Sequence, residues 1–268
     1  MNLRTDLAIE AFSNQKSVDG AFITEYKSGE FSVSEIEIKT EEAEKKLEKP
    51  IGTYITFESG SLAHGTVESD GASDELSKII SRFISEESDA LVVGLGNSTL
   101  TVDALGPFCV NGILATRHIE KAFLESLGLS GLRRVSAIAP GVLGQTGIET
   151  LEIIKSVCDI TKPQNVIIVD ALAAADTARI GNTIQINNFG IAPGSGVGNS
   201  RKELSRRTLK RDVLAIGIPT VAATEDESLI ITSRESDLLI KRAAELLSHA
   251  LNFSLQPKID RSLLLSLV

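Results

Sequence analysis

Two aspartates have the side chains and sequence positions best suited to acid–base chemistry in this chain. Asp103 closes a glycine-containing turn that follows the apolar run 90–95, and Asp170 directly follows the apolar run 166–169. Two carboxyl groups that share a site split their pKa values, so that one acts as an acid and the other as a base. Such a pair can activate water for the hydrolysis of an amide bond. Asp103 and Asp170 are therefore the predicted catalytic residues.

Asp103 also has a purely structural interpretation. An aspartate at the end of a strand often caps the helix that follows, and Asp103 directly precedes the stretch 104–107. Both interpretations stay open on local sequence. A second aspartate at the same predicted edge of a sheet favours the catalytic one.

The spacing of residues argues against several other kinds of nucleotide-binding, catalytic or metal site. Position 99 is a threonine, so the turn that begins at Gly94 lacks the third glycine of a dinucleotide-binding motif, and segment 141–147 lacks the lysine of a P-loop. Ser195 lacks the glycines that a nucleophile elbow has two residues before and two residues after its serine, because those positions hold Pro193 and Val197. The three histidines form no zinc-binding motif and no close cluster; they are His64, His118 and His249. The sequence therefore predicts neither a metal nor a cofactor.

Two glycine-rich loops, 140–147 and 192–199, have two interpretations. They are either tight turns, which glycine favours, or places where backbone amides approach a substrate chain or a developing oxyanion. On the second interpretation they bind substrate together with an asparagine of the first turn. The predicted substrate-binding residues are Asn97, Gly144, Thr146, Gly194, Ser195 and Gly196.

The elements that position these residues alternate between strand and helix from position 73 onward. Apolar runs are typical of strands buried on both faces, and they lie at 90–95, 135–139, 166–169 and 213–218. Helical patterns lie near 107–122, 149–160, 200–209 and 235–250. This order predicts an α/β fold, a mostly parallel sheet with helices on both faces, in which ligands bind at the carboxyl ends of the strands. Segment 183–186 is a predicted edge strand.

The first 60 residues have the pattern of a small β-rich unit. Strands at 20–26 and 30–40 flank a hairpin turn, and a third strand is predicted at 53–59. Within the second strand the apolar residues change from one set of alternate positions to the other. This change predicts a β-bulge near 34–35. We expect this unit to form a separate layer, so the predicted division is an N-terminal segment with linker at 1–71 and a catalytic core at 72–268.

Composition limits the kinds of partner and the cellular compartment that are expected for this chain. The formal net charge of −9 argues against binding of nucleic acid through a broad basic face. A local basic stretch at 201–211 is either a solvated helix face or a docking patch for an acidic protein substrate. No apolar run approaches the ~20 residues that span a bilayer, and two cysteines are too few for a disulfide framework. These features predict a cytoplasmic protein.

Several motifs in one order resemble the germination proteases of endospore-forming bacteria. They include the segment Arg4-Thr5-Asp6-Leu7 and the run Gly144-Gln145-Thr146-Gly147. The full set covers most of the chain and lies at 4–10, 94–107, 116–118, 135–142, 144–150, 169–174, 193–203 and 215–220.

The resemblance implies an endopeptidase that degrades the small acid-soluble proteins coating spore DNA during germination. It implies a fold similar to that of hydrogenase maturation endopeptidases and an atypical aspartic type of catalysis, with the family's two proposed catalytic aspartates at Asp103 and Asp170. Older classification placed the family with metalloproteases. Family members are tetramers in the spore core, made as zymogens that lose a short N-terminal propeptide.

The sequence departs from the family pattern at both ends. Only three residues precede Arg4, so we expect an enzyme that is competent without removal of an inhibitory segment, and the C-terminal region is short. Two alternatives remain beside the spore endopeptidase. One is a maturation-type endopeptidase that trims a metalloenzyme precursor, with the acids holding a metal. The other is a non-catalytic spore binding protein of the same fold.

Overall fold

The computed structural model describes residues 4–15, 17–60, 62, 71–85, 88–126, 131–194, 196, 201–224, 226 and 229–268. The strands are β1 (Ala21–Ser28), β2 (Phe31–Ile38), β3 (Gly52–Glu58), β4 (Ala90–Gly94), β5 (Val135–Ile138), β6 (Asn165–Ala174), β7 (Thr183–Asn187), β8 (Gly190–Ile191), β9 (Leu204–Ser205), β10 (Asp212–Ala223) and β11 (Ile230–Thr232). The helices are α1 (Ala8–Ser13), α2 (Glu41–Leu47), α3 (Ala72–Ser81), α4 (Leu105–Asn111), α5 (Lys121–Ser126), α6 (Leu143–Thr146), α7 (Thr150–Thr161), α8 (Arg206–Leu209), α9 (Ser236–Leu255) and α10 (Arg261–Ser266).

A large mixed sheet organises the described residues. Its strand order is β1-β2-β3-β7-β10-β6-β4-β5, with β11 paired to β10. The strands β5, β4, β6 and β10 run parallel to one another. They are the strands that the apolar runs predicted, so the predicted α/β fold with a parallel core is confirmed.

Helices cover both faces of this parallel core. On one face, α3, α4 and α9 pack against Val92, Val169 and Ile216 in the largest hydrophobic cluster. On the other face, α7 contributes Ile154 and Cys158 to a smaller cluster. Strands covered on both faces have apolar residues at successive positions, and this explains the continuous apolar runs.

The N-terminal strands extend the core sheet. β3 pairs antiparallel with β7 over five residue pairs, so β1, β2 and β3 continue the sheet beyond β7. The expectation of a separate layer was therefore wrong, although the division of the chain near residue 71 stays a prediction. The expectation that 183–186 forms an edge strand was also wrong, because β7 lies between β3 and β10 and is buried throughout.

The predicted β-bulge in the second strand is absent from β2. This strand pairs with β1 and β3 without a shift in register. Val33 packs into the largest cluster, whereas Ile36 and Ile38 pack on the other face with residues of α1 and α2. Apolar residues of both parities are buried because both faces of β2 are covered, so the phase slip needs no extra residue.

Two of the four predicted helices are confirmed. The patterns at 149–160 and 235–250 correspond to α7 and to the 20-residue α9. The stretch 107–122 breaks after α4, where Gly112 lies too close to Ser248 of α9 for any side chain at that position. The stretch 200–209 holds only β9 and the short α8, which Ser205 caps. No helix within the described residues has the length and apolar character to cross a bilayer.

Candidate active site

Asp170 lies within β6 and is only 6% exposed. The sequence placed it just after the strand, but β6 continues to Ala174, so Asp170 pairs in register with Gly217 of β10. Its Oδ1 accepts a hydrogen bond from the N–H of Ala171 at 3.0 Å. Burial raises the pKa of Asp170 well above its ordinary value, and the nearby charges of Asp103 and Asp6 raise it further. Asp170 therefore keeps its proton at a pH where an exposed aspartate is ionised.

Asp103 ends a 3₁₀ turn, Thr101–Asp103, and is half-buried. Its Oδ2 accepts a hydrogen bond from the N–H of Asn97 at 2.8 Å. Burial raises the pKa of Asp103, and this hydrogen bond opposes the shift. The residue that precedes α4 is Ala104, and no side chain caps that helix. The interpretation of Asp103 as a helix cap was therefore wrong.

Glycines fold the turn back against the sheet and so bring Asp103 towards Asp170. Gly96 has a φ of +117°, and a Cβ at this position would overlap the backbone oxygen of Asp103. A Cβ on Gly106 would lie 2.6 Å from the carbonyl oxygen of Val169, the residue before Asp170. These glycines serve close backbone approach within the protein.

A third carboxylate, Asp6, lies in the same cluster, and sequence reasoning did not assign it a role. The N–H of Asp6 donates to the carbonyl oxygen of Ala173 at 2.8 Å, and its Oδ2 accepts from the N–H of Ala173 at 2.9 Å. The side chain of Gln185 donates to the carbonyl oxygen of Asp6 at 2.9 Å. β4 ends at Gly94, opposite Val169, so the backbone of β6 beyond that point is open to this segment.

No local pattern marks Asp6 as part of a site. It stands in a motif that carried the family resemblance, but its partner Ala173 is 167 residues away in the chain. Only the pairing of the N-terminal segment with the end of β6 brings it near Asp170.

The predicted substrate-binding residues fall into two groups. Asn97 contacts Asp103 through its backbone, and its Oδ1 accepts from the side chain of Gln145 at 2.6 Å, which joins the two loops. Gly196 packs so closely against the carboxylate of Asp6 that a side chain at this position would overlap it.

The remaining predicted residues either have local surroundings of their own or lie outside the described part. Gly144 is exposed, and a Cβ there would meet nothing within 4 Å. The hydroxyl of Thr146 is engaged within its own loop, with Val142 and Ile148. Gly194 is half-buried with a φ of +75°. Ser195 lies outside the described residues. The structure thus brings Asn97 and Gly196 to the cluster, and it connects loop 140–147 to that cluster through Gln145.

A cavity of about 730 Å³ opens on the sheet face that carries Asp170. Its lining includes Asp6 and Gly217, the register partner of Asp170. The cavity therefore borders Asp6 and the strand that pairs with Asp170, and it has the volume of a typical ligand pocket. In the part of the chain that the structure describes, no three His, Cys, Asp or Glu side chains form a group that could hold a metal ion.

Three of the six basic residues in the stretch 201–211 form ion pairs with neighbouring acids. Lys202 lies 3.3 Å from Glu152, Arg206 lies 3.3 Å from Asp212, and Arg207 lies 3.2 Å from Glu203; all three basic side chains are well exposed. Exposed ion pairs of this kind are typical of a solvated face. A docking role for this stretch stays a prediction.

Known proteins match this chain over most of its length. A peptidase family model described as germination protease matches residues 2–226. The germination protease of Geobacillus sp. (strain WCH70) is 43% identical, over 90% of this chain and 68% of that protein. The germination protease of Caldanaerobacter subterraneus is 37% identical, over 96% of this chain and 95% of that protein. A solved NiFe hydrogenase maturation protease, HycI from Thermococcus kodakarensis, has a TM-score of 0.37 and 18% identity, over 65% of this chain and 98% of that one.

The family model and the relatives that match over most of the chain define a protease. The chain belongs to the germination protease family, as the resemblance in its motifs predicted.

Proposed function

We propose that this protein is an endopeptidase that degrades small acid-soluble, DNA-coating spore proteins during germination, and that Asp103 and Asp170 activate the attacking water. The proposal rests on family membership for the class of reaction. For the mechanism it rests on one observation: a buried carboxyl group, Asp170, lies within electrostatic reach of a more exposed one, Asp103. Two carboxyl groups in such different surroundings ionise at different pH values, and this pair can therefore supply one base and one acid.

The surroundings of the two carboxyl groups support one assignment of their roles. Asp103 is half-buried and accepts a hydrogen bond from the N–H of Asn97, which favours its ionised form. It takes a proton from water as the water oxygen forms a bond to the carbonyl carbon of the substrate. Asp170 holds its proton and donates it to the amide nitrogen as the C–N bond breaks. The proton that Asp103 gained then passes to Asp170, which resets the pair.

This assignment predicts a bell-shaped dependence of kcat/KM on pH. Activity falls at low pH when Asp103 becomes protonated, and it falls at high pH when Asp170 loses its proton. Burial raises the pKa of both groups, so both limbs lie at higher pH than for exposed aspartates. The apparent values belong to the coupled pair.

The deciding experiment is digestion of a purified small acid-soluble spore protein by the purified chain, with the products mapped by mass spectrometry. We expect internal cleavage by the wild type and almost none by Asp103→Asn or Asp170→Asn. An unrelated unfolded protein of similar length tests the selectivity. A folded wild type that cleaves nothing would favour the non-catalytic binding protein. Activity that is lost on chelation and restored by a metal would contradict the water activation by aspartates alone.

Family resemblance also supports a homotetramer that acts in the spore core, with no cofactor and no direct binding of nucleic acid. The net charge of −9 supports the last point, because a polyanion repels DNA. Light scattering on the purified protein and a DNA titration at low salt test these two properties.

A further inference from the structure

The strand β10 has large residues on one face and small ones on the other. Leu214, Ile216 and Ile218 belong to the cluster packed beneath α9. The alternate positions hold Ala215 and Gly217. Successive side chains of a strand point to opposite faces, so β10 itself contributes little side-chain volume to the second face at these positions. The side chain of Leu172 from β6 packs over Gly217, and the cavity of about 730 Å³ is bordered by Leu172, Ala215 and Gly217.

Strand register relates this cavity to the carboxylates. Gly217 pairs with Asp170 on one side and with Gln185 on the other, and Ala215 pairs with Asn187. Adjacent strands lie about 4.8 Å apart and residues rise about 3.3 Å along a strand, so Asn187 is roughly 12 Å from Asp170. An extended chain that begins at Asp170 reaches Asn187 after about three or four residues.

Asn187 presents an open hydrogen-bond donor at the floor of the cavity. Its side chain is 7% exposed, and its Oδ1 accepts from the N–H groups of Phe189 and Gly190 at 3.2 and 2.9 Å. No acceptor for its amide nitrogen occurs among the described residues. This nitrogen is not among the buried polar atoms that lack a partner, so it is accessible from the cavity and available to donate to a ligand carbonyl.

The charges on the walls indicate what the cavity accepts. Cationic and anionic residues are equal in number, three of each: Arg4, Lys46 and Lys49 against Asp6, Glu48 and Glu203. The floor adds apolar surface from Leu172 and Tyr54. Such a lining favours an uncharged stretch of polypeptide with apolar side chains over a charged small molecule.

We infer that this cavity is a substrate groove that binds an extended, uncharged segment of the protein substrate on one side of the scissile bond, and that Asn187 donates its amide to a carbonyl of that segment. The inference rests on the proposed endopeptidase function. It makes Asn187 and Ala215 determinants of substrate binding, separate from the carboxylates that carry out the chemistry.

The chain offers a matched pair of variants. Asn187→Asp keeps an oxygen for the N–H groups of Phe189 and Gly190, removes the amide donor and directs an acidic group at the substrate carbonyl. Asn188→Asp makes the same chemical change at the neighbouring residue, which is exposed and whose Oδ1 accepts from the N–H of Thr53. A third variant, Ala215→Leu, fills the groove and leaves every hydrogen bond in place.

The experiment measures kcat and KM with a small acid-soluble spore protein and with a short peptide that ends close to the scissile bond. We expect Asn187→Asp and Ala215→Leu to raise KM for the protein substrate by about 10-fold or more, with kcat nearly unchanged. Asn188→Asp should match the wild type, and all variants should cleave the short peptide equally. Circular dichroism on each variant verifies the fold.

Two failures are distinguishable. A folded wild type that turns over neither substrate overturns the proposed function itself. An active wild type whose KM for the protein substrate is unchanged by both Asn187→Asp and Ala215→Leu overturns the groove alone. A loss of short-peptide cleavage equal to the loss of protein cleavage also contradicts the groove, because that peptide does not reach Asn187.

Discussion

The strands β6 and β10 have one face that packs against helices and one face that borders the candidate site. On one face, Ile167, Val169 and Ile216 are fully covered by helices and belong to the largest hydrophobic cluster. On the other face, Asp170 and Gly217 pair between two smaller clusters, and a cavity borders Gly217 and Leu172 beside them. The covered face stabilises the sheet, and the open face has room for a substrate.

This comparison shows how one pair of strands can serve both purposes. Neighbouring residues along β6 point alternately to a helix layer and to the site. The residues on either side of Asp170 therefore hold its strand in place, although Asp170 itself takes no part in that packing. Substitutions on the covered face should therefore change stability, and substitutions on the open face should change activity.

The largest expected effect is the loss of catalysis when a carboxyl group of the open face becomes an amide. Asp103→Asn and Asp170→Asn keep the side-chain shape and remove the proton exchange, so we expect kcat to fall by about 10²–10⁴-fold. The double variant should be little worse than either single one, because the two groups act as a unit. Steady-state kinetics on folded protein measures this. Near-normal turnover in either variant would remove that aspartate from the mechanism.

The matching substitution on the covered face should act on stability instead. Ile167→Ala leaves a cavity beneath the helices, and we expect the free energy of unfolding to fall by about 2–5 kcal/mol. The kcat of the remaining folded enzyme should stay close to that of the wild type. Denaturant unfolding and kinetics on the same sample measure both quantities. A fall in kcat as large as that of Asp170→Asn would show that the two faces are not separate in function.

A smaller effect is expected from the third carboxylate. Asp6→Asn retains an oxygen for the N–H of Ala173 but removes a negative charge that raises the pKa of Asp170. The pKa of Asp170 should fall, so the alkaline limb of the pH–rate profile should move to lower pH. Glu10→Gln is the control. Glu10 accepts hydrogen bonds from Ala175 and Asp176 and lies near Arg179, and it is not among the charges that shift Asp170. If the alkaline limb of the pH–rate profile is unchanged in Asp6→Asn, the charge of Asp6 does not influence the pKa of Asp170.

The smallest expected effect is on the pH dependence of stability. The pKa of Asp170 is raised in the folded state, so its protonated form contributes stability that is fully present below the ordinary aspartate pKa. That contribution is lost as the pH rises through the raised value, because the unfolded chain releases the proton more readily. Asp170→Asn should remove this part of the pH dependence. The measurement is the free energy of unfolding of both proteins at a series of pH values. A difference between the two that stays constant across this pH range would contradict a raised pKa.

The strands that hold the two candidate aspartates could be predicted from local sequence pattern. Continuous apolar runs predicted β4 and β6, because strands covered on both faces need apolar residues at every position. Asp103 and Asp170 became candidate catalytic residues because each stands beside such a run. The exact place of Asp170 was missed, since the apolar residues after it continue β6 beyond the predicted end.

Features that depend on distant pairing were not predictable in this way. The central position of β7 depends on its pairing with β3, and the position of Asp6 near Asp170 depends on its pairing with Ala173. The cavity had one sequence signal that was not used. Along β10 large and small residues alternate, and this alternation indicates a strand with one packed face and one open face.

The most direct test of the account is the protonation state of Asp170 in the folded enzyme. Infrared difference spectroscopy of the carboxyl stretch, with Asp170→Asn to assign the band, reports that state as a function of pH. We predict a protonated carboxyl band that persists above the ordinary aspartate pKa, is absent in Asp170→Asn, and titrates at lower pH in Asp103→Asn. A band that titrates like that of an exposed aspartate, or one that is unaffected by Asp103→Asn, would contradict the pairing of the two carboxyl groups.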